Sequence, residues 1–485
     1  MELGEASERA VISAFHLGRE AACRQLPMGK MVPEALAADP LARAVRPGAG
    51  TLIQIRLLVW TGCHPLPSFR WSKLQGYNAE AVQKAQEIIA RIRRETAGLR
   101  PHYERYCLPA VSRTIEELFD MEAGGLGKEL GLGPADKVVS FVLDGLGYLK
   151  LESLRKQRVV DLTLFQERGV YIPLTSVFPP TTTTALASLS TGASPLLHGV
   201  VGYTLFLQDP GAVVNMIKLA TPGAASDALQ KLGIKVERFL PVSTLYRRLE
   251  GQGVPTYLFL PKYIADSGLS HLLYGGIKET IPYISPSDLF MLLREALRRP
   301  GRALLAVYWP TSDTIAHVYG PSSPAFATEV ATFFRLLHQE FLGQVRGVTV
   351  LITADHGFVD VDPAKDVILC PQHPELKAGL LCPPVGDARA AYLFLRRGHE
   401  EEVREFFACN YPDDFLVMTS EEALRRGLWG FESPSPEVRA RLGDLVVLAR
   451  RRKLVLWPRE EFKLRGMHGG LTEEELLVPF LALTL

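Results

Sequence analysis

From Lys137 onward the chain is built of short, almost wholly apolar runs with polar residues at their ends. Lys137–Leu143 (KVVSFVL) is the first, and 255–260, Ala303–Trp309, 348–353, 390–395 and 445–448 repeat it. A strand apolar at nearly every position is covered on both faces, as in a mostly parallel sheet. Helical stretches at 242–250, Pro286–Leu297 and 324–343 lie between the runs. This alternation predicts an α/β fold, with an open, doubly wound, mostly parallel sheet and helices on both faces. Active sites in such folds gather beyond the C-terminal ends of the strands.

The polar residues at those ends are chemically alike. Lys137–Leu143 runs into Asp144–Gly145, and Ala303–Trp309 leads to Asp313 with His317 four residues on. The run 348–353 is followed by Asp355–His356–Gly357, and near the end comes His468 between Met467 and Gly469. Each has an ordinary structural explanation: a turn, an i,i+4 helical pair, a loop. Three aspartates and three histidines at successive strand ends are harder to explain that way, because burying them without partners is costly. Aspartate and neutral imidazole suit zinc, or manganese as second choice. Six such ligands are too many for one tetrahedral ion and about right for two divalent ions, which together clamp the attacking and leaving oxygens of an in-line displacement at phosphorus.

A hydroxyl comes from the stretch 179–199 (PPTTTTALASLSTGASPLLHG), where four threonines precede a small-residue helix. Threonine suits a helix N-terminus, where its hydroxyl can cap free N–H groups and face the end of the helix dipole that attracts anions.

Together these motifs resemble the alkaline phosphatase superfamily, most closely its branch of type I phosphodiesterases and nucleotide pyrophosphatases, with phosphonoacetate hydrolase nearby. The order matches: strand–Asp–Gly, Thr before a small-residue helix and Thr-Gly, Asp-x-x-x-His, Asp-His-Gly, then a late His-Gly. The resemblance implies an alkaline-phosphatase-like α/β/α sandwich with cap insertions. In that family the nucleophile lies nine residues before the threonine of Thr-Gly, which selects Thr182, with Thr181 and Thr183 as neighbours. It further implies that Asp313, His317 and His468 hold one metal, and that Asp144, Thr182, Asp355 and His356 hold the other. The family commonly has a phosphate-binding Asn shortly after the His-Gly turn; here Tyr203 or Asn215 stands in for it. The activity implied is hydrolysis of a small-molecule phosphate ester or nucleotide through a phospho-threonine. Phosphomonoesterase, phosphonate hydrolase and phosphomutase chemistry share such a site, and a non-catalytic, metal-bound scaffold is the reading from another class.

The resemblance begins near residue 137. Residues 1–135 are expected to be a mostly helical region of unknown role, with helices at 79–99 and 111–121 and a Gly-rich linker at 123–135; residues 136–485 form the catalytic domain, in which 203–300 and 358–465 contain cap or edge insertions. Gly127–Lys128 is followed by Glu129, not the Ser or Thr of a P-loop. No Gly-x-Ser-x-Gly elbow and no Cys/Ser-x-Pro-x-Arg sulfatase signature is present. Cys370, His373 and Cys382 match no zinc spacing. A net charge of +1 argues against nucleic acid as the main partner. No run of 18–20 apolar residues predicts a membrane span. The N-terminal stretch has no apolar run suited to a signal peptide, and the six cysteines lack CxxC spacing, so reduced thiols and a cytoplasmic location are expected.

Overall fold

The computed structural model describes residues 100–485 except 266 and 458–460, together with Glu87, Ala90 and Arg91. The helix expected at 79–99, like everything before it, lies outside or almost outside the described residues. Contacts divide the chain into Met1–Leu74 and Gln75–Leu485.

A seven-stranded sheet forms the centre. Its strands are β1 (Lys137–Leu143), β2 (Val170–Thr175), β3 (Thr256–Pro261), β4 (Glu279–Tyr283), β5 (Ala303–Trp309), β6 (Thr349–Thr353) and β7 (Leu477–Thr484). The spatial order is β2-β7-β6-β1-β5-β3-β4. β6, β1, β5, β3 and β4 are mutually parallel, whereas β7 runs antiparallel to both β6 and β2. The central strands are buried along nearly their whole length, which is why they read as continuous apolar runs.

Alternation along β1 assigns its faces. Phe141 meets Phe333, Phe341 and Phe290 at centroid separations of 5.6, 6.1 and 6.3 Å, from the helices Pro286–Leu297 and Pro324–Leu336 and the π-helical turn Leu337–Leu342 that follows. Ser140 and Val142 face the other way, towards Val111, Leu186 and Leu245 on the helices Pro109–Leu118, Thr182–Thr191 and Leu245–Gly251. The expected sandwich of helices on both faces is present.

Two expectations need correction. The runs at 390 and 445 are not in the parallel sheet. Ala390–Leu393 and Leu445–Ala449 pair antiparallel in a second, six-stranded sheet with Phe415–Thr419, Val385–Asp387, Thr204–Leu207 and Ala212–Asn215. They read as doubly covered because both faces are: Leu445 and Val447 pack with Phe406 and Phe407 in a separate core, while Val446 and Leu448 join the main one. The Gly-rich stretch 123–135 is likewise no linker. Gly125 and Gly127 donate their N–H groups to Glu117 Oε1 and Oε2, each at 2.8 Å, and Leu126 N donates to Thr114 Oγ1 at 2.8 Å. A Cβ on Gly125 would lie 2.4 Å from Thr114 N, so glycine is there for close packing onto the helix Pro109–Leu118.

No helix among the described residues is long and apolar enough to cross a membrane.

Candidate active site at the strand ends

Register brings the first two carboxylates together. Val142 of β1 pairs with Thr353 of β6, so Asp144 and Asp355 each follow two residues later on adjacent parallel strands. On the other side Leu143 pairs with Trp309 of β5, and the next helix, Thr311–Tyr319, carries Asp313 and His317. Gly145 turns the chain at φ +76°, and its N–H reaches Asp355 Oδ1 at 3.0 Å.

Each carboxylate has one oxygen left unpartnered. Asp355 Oδ1 accepts from Gly145 N and from His356 N at 2.9 Å, while its Oδ2 has no hydrogen bond. Asp144 Oδ2 accepts from the Tyr308 hydroxyl, leaving Oδ1 bare, and Asp313 Oδ1 is also bare. The three histidines show the complementary arrangement. Nδ1 of His317, His356 and His468 lies 2.9, 3.2 and 3.1 Å from the carbonyl oxygens of Gly466, Gly357 and Pro180. A carbonyl only accepts, so these contacts place the proton on Nδ1 and free the Nε2 lone pair.

The free atoms converge. His356 Nε2 is 3.4 Å from Asp144 Oδ1 and 3.5 Å from Asp355 Oδ2; His317 Nε2 is 3.4 Å from Asp313 Oδ1. The His356 and His468 rings stack at 3.8 Å. Two groups have ligand atoms all within 4.8 Å of one another: Asp313, His317 and His468, and Asp144, Asp313 and His356. Asp313 thus stands in both, between the two sets that the resemblance implied. Asp355 falls outside the second group by that distance but reaches it through His356.

Burial and crowding set the electrostatics of these groups. Burial first, then the charges of Asp313 and Asp355, push the Asp144 carboxyl well above its ordinary range. Burial also raises Asp313, partly offset by His317 and His356. Burial drives His468 well below its usual imidazole value, reinforced by the neighbouring histidines. Bare oxygens, inward lone pairs and crowded like charges fit divalent metal ions, so the residues present suit the group that the resemblance implied.

Thr182 opens the helix Thr182–Thr191, with Thr181 at its N-cap. Thr181, Thr183 and Thr184 are fully buried, and Thr183 Oγ1 is tied to Gly202 O at 2.9 Å. Thr182 alone of the four is partly accessible, and its Oγ1 lies 3.3 Å from His356 Nε2.

Tyr203 and Asn215 come together. Asn215 Oδ1 is committed to the turn, accepting from Ile217 N and Lys218 N at 3.0 Å each. Tyr203 remains 38% exposed, and its phenol is raised by burial and by Asp387 and Asp313, with Asn215 acting in the opposite direction. His198 is buried with Nε2 2.8 Å from Ser188 Oγ and Nδ1 accepting from Val200 N at 3.1 Å, a support for the turn. Cys107, Cys370, Cys382 and Cys409 are free thiols.

Sequence reasoning missed four residues. Tyr308, inside β5, fixes Asp144. Arg389 and Glu475 form a fully buried bidentate pair (2.6 and 2.8 Å), and Glu475 Oε1 also accepts from Gly470 N at 2.8 Å, pinning the loop that carries His468. Asp387, whose carboxyl is raised to about 6 chiefly by burial, packs so tightly on Gly469 that a Cβ there would lie 2.3 Å from its Oδ1. The Thr-x-x-Glu spelling of 472–475 and the apolar strand holding Tyr308 were visible, but their partners lie far away in sequence.

The family model for type I phosphodiesterase / nucleotide pyrophosphatase matches residues 138–471, most of the chain. The chain belongs to this family of phosphoester hydrolases. Among solved structures, murine ectonucleotide pyrophosphatase / phosphodiesterase 5 superposes with a TM-score of 0.55 at 20% identity, covering 72% of this chain and 88% of that one. An inactive variant of that murine protein was solved in complex with AMP, with a TM-score of 0.54 at 19% identity, covering 72% of this chain and 88% of that one. Phosphonoacetate hydrolase from Sinorhizobium meliloti 1021, in complex with phosphonoformate, superposes with a TM-score of 0.54 at 22% identity, covering 73% and 91%. At these identities the solved structures establish the shared fold. The expected alkaline-phosphatase-like architecture is therefore borne out, and it is a type I phosphodiesterase fold that carries the six converging side chains.

Proposed function

We propose that this type I phosphodiesterase family member is a two-metal hydrolase of small phosphate esters, acting on diesters or nucleotide pyrophosphates, with Thr182 as nucleophile. The observation that carries the reading is the matched set of three imidazoles anchored through Nδ1 and three carboxylates with a bare oxygen, with His356 Nε2 3.3 Å from Oγ1 of Thr182, the accessible member of the run 181–184. Asp313, His317 and His468 hold one ion; Asp144, Asp355 and His356 hold the other together with Thr182. The oxygen and nitrogen donor set points to zinc, with manganese second. When bound, such ions lower the pKa of a hydroxyl and neutralise charge on the phosphoryl oxygens.

Thr182 Oγ1 attacks phosphorus in line, the P–O bond to the leaving group breaks, and the departing alkoxide takes a proton. The covalent phospho-threonine is then hydrolysed by water, which regenerates Thr182 and releases the phosphate monoester. The backbone contacts on Nδ1 keep His317, His356 and His468 from turning between the two steps. In this reading the phenol of Tyr203 or the side-chain amide N–H of Asn215 donates to a phosphate oxygen, in the place of the family's Asn; the Asn215 Oδ1 itself is taken by its turn.

The test is turnover of bis-p-nitrophenyl phosphate by full-length protein with zinc or manganese. Thr182→Ala should lose on the order of 10³-fold or more in kcat while still binding metal. Robust turnover by Thr182→Ala removes the threonine from its role. A wild type inert towards diesters, monoesters and phosphonates alike favours the metal-bound scaffold.

A further inference from the structure

A cavity of about 770 Å³ lies against the metal-binding loops but contains none of the side chains assigned to metal or nucleophile. Phe358 separates the two. Its ring lies 4.9, 5.4 and 5.0 Å from the rings of His317, His356 and His468, and it also lines the cavity. The other walls include Gly145, Ser322 and Thr472, which follow Asp144, His317 and His468 in the chain. The segments that follow Asp144, His317, His356 and His468 thus each contribute to its wall.

One wall of the cavity is basic. Arg450, Arg451, Arg452 and Lys453 form the turn between the second-sheet strand Leu445–Ala449 and the strand Leu454–Leu456, and Lys150 enters from the helix Tyr148–Lys156. Four carboxylates also line it, but several are already engaged. Asp360 accepts from Ser322 N and Oγ at 3.3 and 2.6 Å and faces Lys150, and Asp366 Oδ2 accepts from Asp362 N at 2.8 Å. Asp414 and Glu474 remain. On the cationic side, Arg451 pairs with Asp413 at 3.6 Å, and Lys453 Nζ donates to Lys365 O. Arg450 and Arg452 make no ion pair among the described residues, and both guanidinium groups are exposed at the cavity wall. Consecutive like charges in one tight turn repel, an arrangement that an anion relieves. Two guanidinium forks can grip phosphate oxygens bidentately, and the volume lies within the range that takes a whole small molecule.

We propose that this cavity is a second anion site, behind the metal centre, that takes a phosphate-bearing small molecule through Arg450 and Arg452. The proposal does not rest on the catalytic reading. The cavity shares its walls with the metal-binding loops, so an anion that shifts those loops changes metal affinity, and metal changes anion affinity by the same factor.

The test is calorimetric titration of the full-length, metal-loaded chain with inorganic pyrophosphate. Two sites are expected, one at the metals and one at the cavity. Arg450→Glu/Arg452→Glu should weaken the second at least tenfold and leave bis-p-nitrophenyl phosphate turnover within twofold, whereas Arg450→Lys/Arg452→Lys should retain it in part. His468→Ala should weaken the metal-dependent site and leave the arginine-dependent one unchanged. Parallel titrations with inorganic phosphate and with AMP distinguish the sources: tighter binding of AMP assigns the site to a nucleotide, and equal binding to a free inorganic anion. A single site in the wild type, or two sites that both survive the double glutamate variant, overturns the proposal. An arginine-dependent site in a chain without phosphoesterase activity would sink the catalytic reading alone.

Discussion

Tyr308→Phe probes how far the metal site depends on a residue that touches no metal. The Tyr308 hydroxyl donates to Asp144 Oδ2, leaving Oδ1 as the free atom 3.4 Å from His356 Nε2. Phenylalanine fills the same buried space in β5, and the bond from the Tyr283 hydroxyl at 2.8 Å uses only the backbone carbonyl of Tyr308. The fold therefore stays, and the change is confined to one hydrogen bond. A hydrogen bond to a charged group contributes about 1.5–3 kcal/mol, and removing an orienting partner of a metal ligand costs about 10- to 100-fold in affinity. Without its donor, Asp144 loses both its orientation and a contact that favours its ionised form, against burial and the charges of Asp313 and Asp355, which already push its carboxyl upward. Zinc affinity should fall about 10- to 100-fold at neutral pH, measured by competition with a chromogenic chelator, and saturating zinc should restore part of kcat. A dissociation constant within twofold of the wild type, in a protein with an unchanged melting temperature, would refute the reasoning.

Two further outcomes concern stability. His198 is buried neutral, with its pKa lowered to about 3 by burial and by Arg441. The unfolded chain takes up the proton first, so this stability is complete above about pH 6.5 and is lost as the pH falls. By about pH 5 the loss is roughly 2 kcal/mol, and His198→Gln should show a correspondingly shallower fall in urea unfolding free energy between about pH 7 and 5. Arg389→Met leaves Glu475 buried without its cation and should cost about 3–5 kcal/mol in urea unfolding, whereas Arg389→Met/Glu475→Leu should recover much of it. Equal losses in the single and double variants would argue against the pair.

The parts of the molecule that were legible in the sequence are those set by local pattern. Strands buried on both faces spell themselves as KVVSFVL or ALLAVYW, and the polar residues follow at their C-terminal ends, so Asp144, Asp313 and Asp355 could be found by reading one, four and two residues past their apolar runs. The small residues after Thr182 and the Thr-Gly stop marked the helix Thr182–Thr191. Less legible was anything decided by partners distant in sequence. The runs at 390 and 445 look like parallel-sheet strands because burial on two faces leaves the same apolar spelling whichever layers cover them. The stretch 123–135 looks like a linker because the acceptors of Gly125, Leu126 and Gly127, the side chains of Glu117 and Thr114, belong to a neighbouring helix. Tyr308 reads as one more apolar strand residue, and Arg389 and Glu475, 86 positions apart, meet only after two sheets have formed.

The account stands or falls on whether these side chains hold two cations beside Thr182. Metal content per chain, measured on dialysed full-length protein after loading with zinc, tests it most directly. Two ions per chain are expected in the wild type and one in His468→Ala, with Thr182→Ala retaining metal while losing turnover. A wild type that retains no metal, or a His468→Ala protein that retains the same content as the wild type, would contradict it.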